Sequence, residues 1–168
     1  IIAIPAREDT RDVLVGRRLD DLSDGTRLGT GAPRRAMQMI DWAAGRDMQL
    51  EIVPIRGNVE TRIERVREGK VDAVILAAAG LRRIGLLREI DMIPEGIVVK
   101  QLPAQILDHQ VMIPAPGQGA LALEIHRSLS IELRERLAVL DNLVARAESL
   151  VERGFLGALE AGCTAPVG

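Results

Sequence analysis

The run Val71-Asp72-Ala73-Val74-Ile75-Leu76-Ala77 is nearly unbroken apolar sequence. It is far shorter than the roughly 20 residues a membrane-spanning helix needs. A short run of this kind reads as a strand covered on both faces, as in a parallel sheet layered with helices. Two strand-then-helix patterns lead up to it. Arg27-Leu28-Gly29-Thr30 is strand-like, and Pro33 suits the first position of a helix, where a missing N–H costs nothing. Ala36, Met37, Met39, Ile40 and Ala43 then give a helical apolar face that Gly45 closes. Residues 50–55 form the next strand, and Asn58 is a fair N-cap for a helix carrying Val59, Ile63 and Val66 and ending at Gly69. Strand, helix, strand, helix, strand at this spacing predicts parallel βαβ units with right-handed crossovers, an α/β fold. Ligands of such sheets bind beyond the carboxyl ends of the strands.

Around this centre the pattern is less regular. Ile1-Ile2-Ala3-Ile4 reads as a strand, and Asp12-Val13-Leu14-Val15-Gly16 as another. Between Gly85 and Gln110, the breakers Pro94, Gly96 and Pro103 leave only short pieces. Pro114-Ala115-Pro116-Gly117-Gln118-Gly119 is a tight loop, and 120–125 returns as a strand. Leu133, Leu137 and Leu140 mark a helix after Ser130. A longer helix follows over 142–160, with Val144, Ala147, Leu150, Val151, Phe155 and Leu159 apolar. The break near Asp141 is the best domain boundary.

Composition narrows the function. A net charge of −2 gives no global attraction to nucleic acid, and an aromatic content of 1% without Tyr leaves no platform for stacking bases. The single cysteine excludes an internal disulfide and disfavours a cysteine-rich metal site. It fits a reducing compartment, and with no basic-then-apolar leader the expected location is the cytoplasm. His109 and His126 have no partner at metal or triad spacing, so no metal ligands are expected.

The charge of interest is local. Arg34 and Arg35, Arg56 and Arg62, and Arg83 each follow a predicted strand end. Helix N-termini there offer unpaired N–H groups and a positive dipole end, and arginine adds a planar fork suited to carboxylates. Arginines also populate solvated helix faces, and Glu60, Glu64 and Glu68 suit i,i+4 pairing that accounts for Arg65 and Arg67. Cys163 sits in a Gly-Cys-Thr turn just past a helix, where it is either an inert small thiol or a reactive thiolate.

Several stretches fall in one characteristic order. They are Arg7-Glu8-Asp9, Gly29-Thr30 through Arg34-Arg35, and Arg56-Gly57-Asn58-Val59 with Thr61-Arg62. Asp72-Ala73 to Gly80-Leu81-Arg82-Arg83-Ile84-Gly85-Leu86 and Pro116-Gly117-Gln118-Gly119-Ala120-Leu121 follow, then Glu160-Ala161-Gly162-Cys163 to Pro166-Val167-Gly168. Together they resemble the porphobilinogen deaminase, or hydroxymethylbilane synthase, family. The resemblance implies a fold of three domains, two of them periplasmic-binding-protein-like. Here 1–7 would end domain 1, 8–113 form the central βαβ domain 2, 114–140 return to domain 1, and 141–168 begin an α+β C-terminal domain.

The family joins four porphobilinogen units head to tail, releasing ammonia, in tetrapyrrole and haem biosynthesis. Its cofactor is a dipyrromethane held by a thioether to a cysteine, which the motif places at Cys163. The resemblance implies that Thr30, Arg34, Arg35, Arg56, Gly57, Arg62, Arg83 and Gln118 bind that cofactor and the growing oligopyrrole chain. It also implies a monomer. The family's catalytic aspartate belongs to a Lys-Asp motif that these 168 residues lack, so both ends read as missing and the chain alone as inactive.

Gly31-Ala32-Pro33 stands where the family has Ser-Ser-Leu, removing two hydroxyl donors, and the segment from Arg83 to Gln118 is longer than usual. Two alternatives stay open. One is a non-catalytic anion-binding module of the same fold, which gives Cys163 no task. The other is a degenerate family member that keeps the fold without turnover.

Overall fold

The computed structural model describes residues 1–87, 92–93, 96–160 and 167–168. Its strands are β1 (Asp12–Val15), β2 (Arg27–Gly29), β3 (Glu51–Val53), β4 (Ala73–Ala77), β5 (Met92–Ile93), β6 (Gly96–Val99) and β7 (Leu102–Ile106). Its α-helices are α1 (Pro33–Ala44), α2 (Val59–Arg67), α3 (Ala78–Arg83), α4 (Ile131–Ala138) and α5 (Leu143–Ala158). Among the described residues, seven strands make one sheet in the order β3-β2-β4-β1-β7-β6-β5.

The predicted βαβ centre is present. β2 pairs in parallel with β3 on one side and β4 on the other, with α1 and α2 as the crossovers. Pro33 opens α1 and Gly45 caps it. Asn58 caps α2 through its side-chain oxygen, which accepts from the Thr61 N–H at 2.8 Å. β1 lies against β4 but runs antiparallel, and β7, β6 and β5 continue the sheet by antiparallel pairing. The sheet is therefore mixed α/β.

Alternation along the strands divides the core in two. Val13, Val15, Val74 and Leu76 face the side packed by Ile63 of α2 and Leu81 of α3. Leu14, Leu28, Ala73 and Ile75 face the side packed by Met39 of α1, with Leu107 and Met112. Fully burying one such side chain stabilises the fold by about 1.5–3 kcal/mol.

Two expectations need correction, and one region left open by the sequence gains a structure. Neither Ile1–Ile4 nor 120–125 forms a strand: one bridge joins Ala3 to Leu123. It is held by Ile2 N–H to Leu123 O at 2.8 Å and Leu123 N–H to Ala3 O at 2.9 Å. The region 85–110, unreadable from sequence, contains the β6–β7 hairpin. Its turn residues Lys100 and Gln101 both hold positive φ, +49° and +66°. That is the geometry two-residue hairpins prefer, but without the Asn-Gly or Asp-Gly that usually signals it. Residues 88–91 and 94–95, within the lengthened segment, lie outside the described residues. Finally, Arg65 and Arg67 pair with Glu68 and Glu64 at i,i+3 rather than i,i+4.

α4 and α5 form over the two stretches the apolar spacing predicts, and the side chains of Ser130 and Asn142 cap them. α5 buries Ala145 and Ser149, while Val144, Leu150, Val151 and Phe155 remain more than half exposed. Its start is tied to the N-terminal segment: Ile4 N–H donates to Asp141 Oδ1 at 2.7 Å, and Asn142 N–H to Ile4 O at 2.8 Å.

Candidate functional site

The carboxyl ends of β2, β3 and β4 share one edge of the sheet, and each leads into a turn that carries arginine. After β2 the chain is fixed by Thr30, whose N–H donates to Val53 O at 3.0 Å. The buried Thr30 hydroxyl accepts from Ala32 N–H at 3.2 Å. Gly31 runs so close to the β3 turn that a Cβ there would lie 2.7 Å from Ile55 O. A seryl side chain at 31 therefore needs the turn to shift.

The organising residue of this edge is one the sequence reading passed over. Because β1 runs antiparallel, its first residue, Asp12, lies beside Ala77 at the carboxyl end of β4. Its carboxylate is wholly buried. Asp12 Oδ2 accepts from Arg34 Nη2 at 2.7 Å. Asp12 Oδ1 accepts from Arg35 Nη2 at 2.7 Å, Arg35 Nε at 3.2 Å and Gln118 Nε2 at 3.1 Å. The only signal in the sequence was an acidic residue heading an apolar strand.

These contacts divide the predicted arginines. Arg34 is buried, and its guanidinium also donates to Ile113 O and to Gln118 Oε1. Burial pushes its pKa down, with Asp12 acting the other way. Arg35 adds a bond to Ile75 O at 3.3 Å and keeps 11% of its side chain exposed. Arg62 is half-buried and donates to Gly57 O at 2.9 Å. Its pKa is lowered by burial and then by the charge of Arg35. Arg62 thus stands within the field of Arg35.

Arg56 and Gly57 lie exposed in the turn after β3. Arg83, also exposed, donates to Gly119 O at 2.7 Å and so grips the loop that carries Gln118. Thr30, Arg34, Arg35, Arg62 and Gln118 therefore gather at one edge, with Arg83 joined to it through 118–119. Cys163 lies outside the described residues.

The same loop is clamped from behind. Arg7 donates from Nη1 and Nη2 to the two oxygens of Glu152 at 2.7 and 2.9 Å, and from Nε to Gln118 O at 2.9 Å. Glu152 also accepts from Gly117 N–H. Burial alone would raise the Glu152 carboxyl, but these donors hold it below its ordinary value. Asp9 binds Arg11 and Arg82, and the Arg11 contact keeps its pKa low. Among the described residues no cluster of His, Cys, Asp and Glu could hold a metal ion, and no helix is long and apolar enough to cross a membrane.

Residues 1–131 match the family model described as porphobilinogen deaminase, dipyromethane cofactor binding domain. Porphobilinogen deaminase 1 of Streptomyces coelicolor is 48% identical over 171 residues, covering 100% of this chain and 49% of its own length. The porphobilinogen deaminase of Nocardia farcinica is 46% identical over 171 residues, covering 100% of this chain and 44% of its own. The chain spans about half the length of these relatives. The overlay on one solved structure, a TctC solute-binding protein from Polaromonas, is loose: TM-score 0.34 and 11% identity over 94% of this chain and 57% of that one. The family-model match over 131 of the 168 residues makes this chain a member of the porphobilinogen deaminase family.

Proposed function

We propose that this chain supplies the cofactor-binding part of a hydroxymethylbilane synthase. That enzyme joins porphobilinogen units head to tail with release of ammonia, on a dipyrromethane attached by a thioether to Cys163. The observation that carries the reading is the charge balance at the sheet edge. One carboxylate, Asp12, faces Arg34 and Arg35, with Arg62 in the field of Arg35, so the edge is left positive. Each pyrrole of the cofactor brings two carboxylates, and charge-assisted pairing with guanidinium is the strong form of that contact. The residues present therefore fit the group.

When bound, the dipyrromethane supplies the nucleophilic pyrrole carbon on which the product chain grows. Arg35, Arg56, Arg62 and Arg83 bind and orient carboxylates. Arg34 and Gln118 hold the edge in shape, and Thr30 sets the turn at the start of α1. The domain division at 7, 113 and 140 belongs to the same proposal. So do a cytoplasmic location, where the Cys163 thiol stays reduced until the cofactor is attached, and a monomeric state, which the family resemblance supports.

The test is the intact mass of the full-length protein under denaturing conditions, read with an Ehrlich's-reagent colour reaction. The expected result is a mass excess equal to dipyrromethane that disappears in Cys163→Ala. An unmodified mass in protein that turns over porphobilinogen would refute the assignment.

A further inference from the structure

The geometry points to Asp12 as a positioning residue: it holds the Arg35 guanidinium in register to receive a ligand carboxylate. This rests on the anion-binding reading above and names the residue on which that binding depends. Both oxygens of Asp12 are engaged, one by Arg34 and the other by Arg35 and Gln118. With no solvent exposure, the carboxylate has no room to swing. Arg35 meets it edge-on through Nε and Nη2 while Nη1 reaches Ile75 O, which fixes the plane of the fork. Among the described residues, three of its five N–H groups are committed, which leaves two for a ligand.

A purely stabilising role explains this arrangement poorly. Buried ion pairs are often matched or bettered by apolar packing of the same volume, so such a pair is weak evidence for stability. Here the carboxylate is placed where three strand ends and an arginine-rich helix start converge, and not in either apolar core. Without it Arg34 and Arg35 repel each other, and Arg35 loses the partner that sets its direction. Asp12 touches no ligand in this scheme; it acts through Arg35.

The experiment uses the full-length, cofactor-loaded enzyme with porphobilinogen as substrate. Asp12→Asn, Arg35→Gln and the double variant are compared for KM and kcat. Losing one charge-assisted contact should raise KM for Asp12→Asn and Arg35→Gln by about tenfold or more, with a smaller change in kcat. In the Arg35→Gln background, Asp12→Asn should add less than about twofold, because both remove the same contact.

If Arg35→Gln raises KM but Asp12→Asn leaves it within about twofold, the Asp12 inference fails and the anion site survives. Effects that multiply in full also overturn it. If Arg35→Gln itself leaves KM unchanged, the anion-site reading of Arg35 fails instead. Should Asp12→Asn not fold, Asp12→Asn with Arg34→Gln removes the excess buried charge. Compared with Arg34→Gln alone, it should show the same rise in KM, and an unchanged KM would refute the inference.

Discussion

Gly117 and Gly119 offer a controlled test of how the Gln118 loop is built. Both hold positive φ, +73° and +83°. A Cβ at 117 would meet nothing within 4 Å, whereas one at 119 would lie 2.5 Å from Glu8 O and 3.5 Å from Asp9 O. Alanine at 117 therefore carries only the cost of the left-handed conformation, about 1 kcal/mol. Alanine at 119 carries that cost and a collision between backbone and Cβ, which overpacking data put at about 2 kcal/mol more. The collision cannot relax cheaply. Gly119 O already accepts from Glu8 N–H at 3.2 Å and from Arg83 Nη2 at 2.7 Å, so moving the loop loosens both. At roughly 3 °C per kcal/mol for a chain of this size, Gly117→Ala should lower Tm by about 3 °C and Gly119→Ala by about 9 °C in calorimetry. Equal shifts, or a smaller one for Gly119→Ala, would refute the argument that the loop is wedged against Glu8.

Other outcomes follow from the same geometry. Burial raises the Glu152 carboxyl, but its donors Arg7 and Gly117 hold it below its ordinary value, so its contribution is complete above the ordinary carboxylate range and is lost as pH falls through the lowered folded value. Arg7→Gln should therefore melt lower than wild type at neutral pH, and the gap should narrow as pH falls below the ordinary carboxylate range. A gap that stays constant with pH would mean that Arg7 does not act through Glu152. Gly31→Ser should cost about 1–3 kcal/mol through its collision with Ile55 O, read as a fall in Tm. An unchanged Tm would show that the turn yields freely.

Much of this protein is written locally. Pro33 with Gly45 and Asn58 with its α2 turn act within a few residues, and the sequence places α1 and α2 from them and α4 and α5 from their apolar spacing, while α3 was not foreseen. The apolar run ending at Ala77 likewise identifies the central strand, because a strand buried on both faces cannot carry alternation. The arginines at the strand ends were visible for the same reason: in a βαβ unit, order along the chain fixes which end of the sheet a turn occupies. The Lys100-Gln101 turn was not legible, since residues other than Asn and Gly were held at positive φ by the paired strands around them.

Which arginines are free and which are engaged was decided only by tertiary structure. The sequence presents Arg34 and Arg35 as equivalent neighbours. The fold buries Arg34 against Asp12, Gln118 and Ile113, up to 84 residues away, and ties Arg35 to Asp12 and Ile75 O with 11% of its side chain exposed. Asp12 could not be recognised from its own surroundings, because its role depends on the direction of β1. Run parallel, that strand would carry Asp12 to the far end of the sheet; run antiparallel, it sets a carboxylate beneath the arginine turns. Strand direction is fixed by long-range hydrogen-bond pairing, which no local pattern of residues encodes.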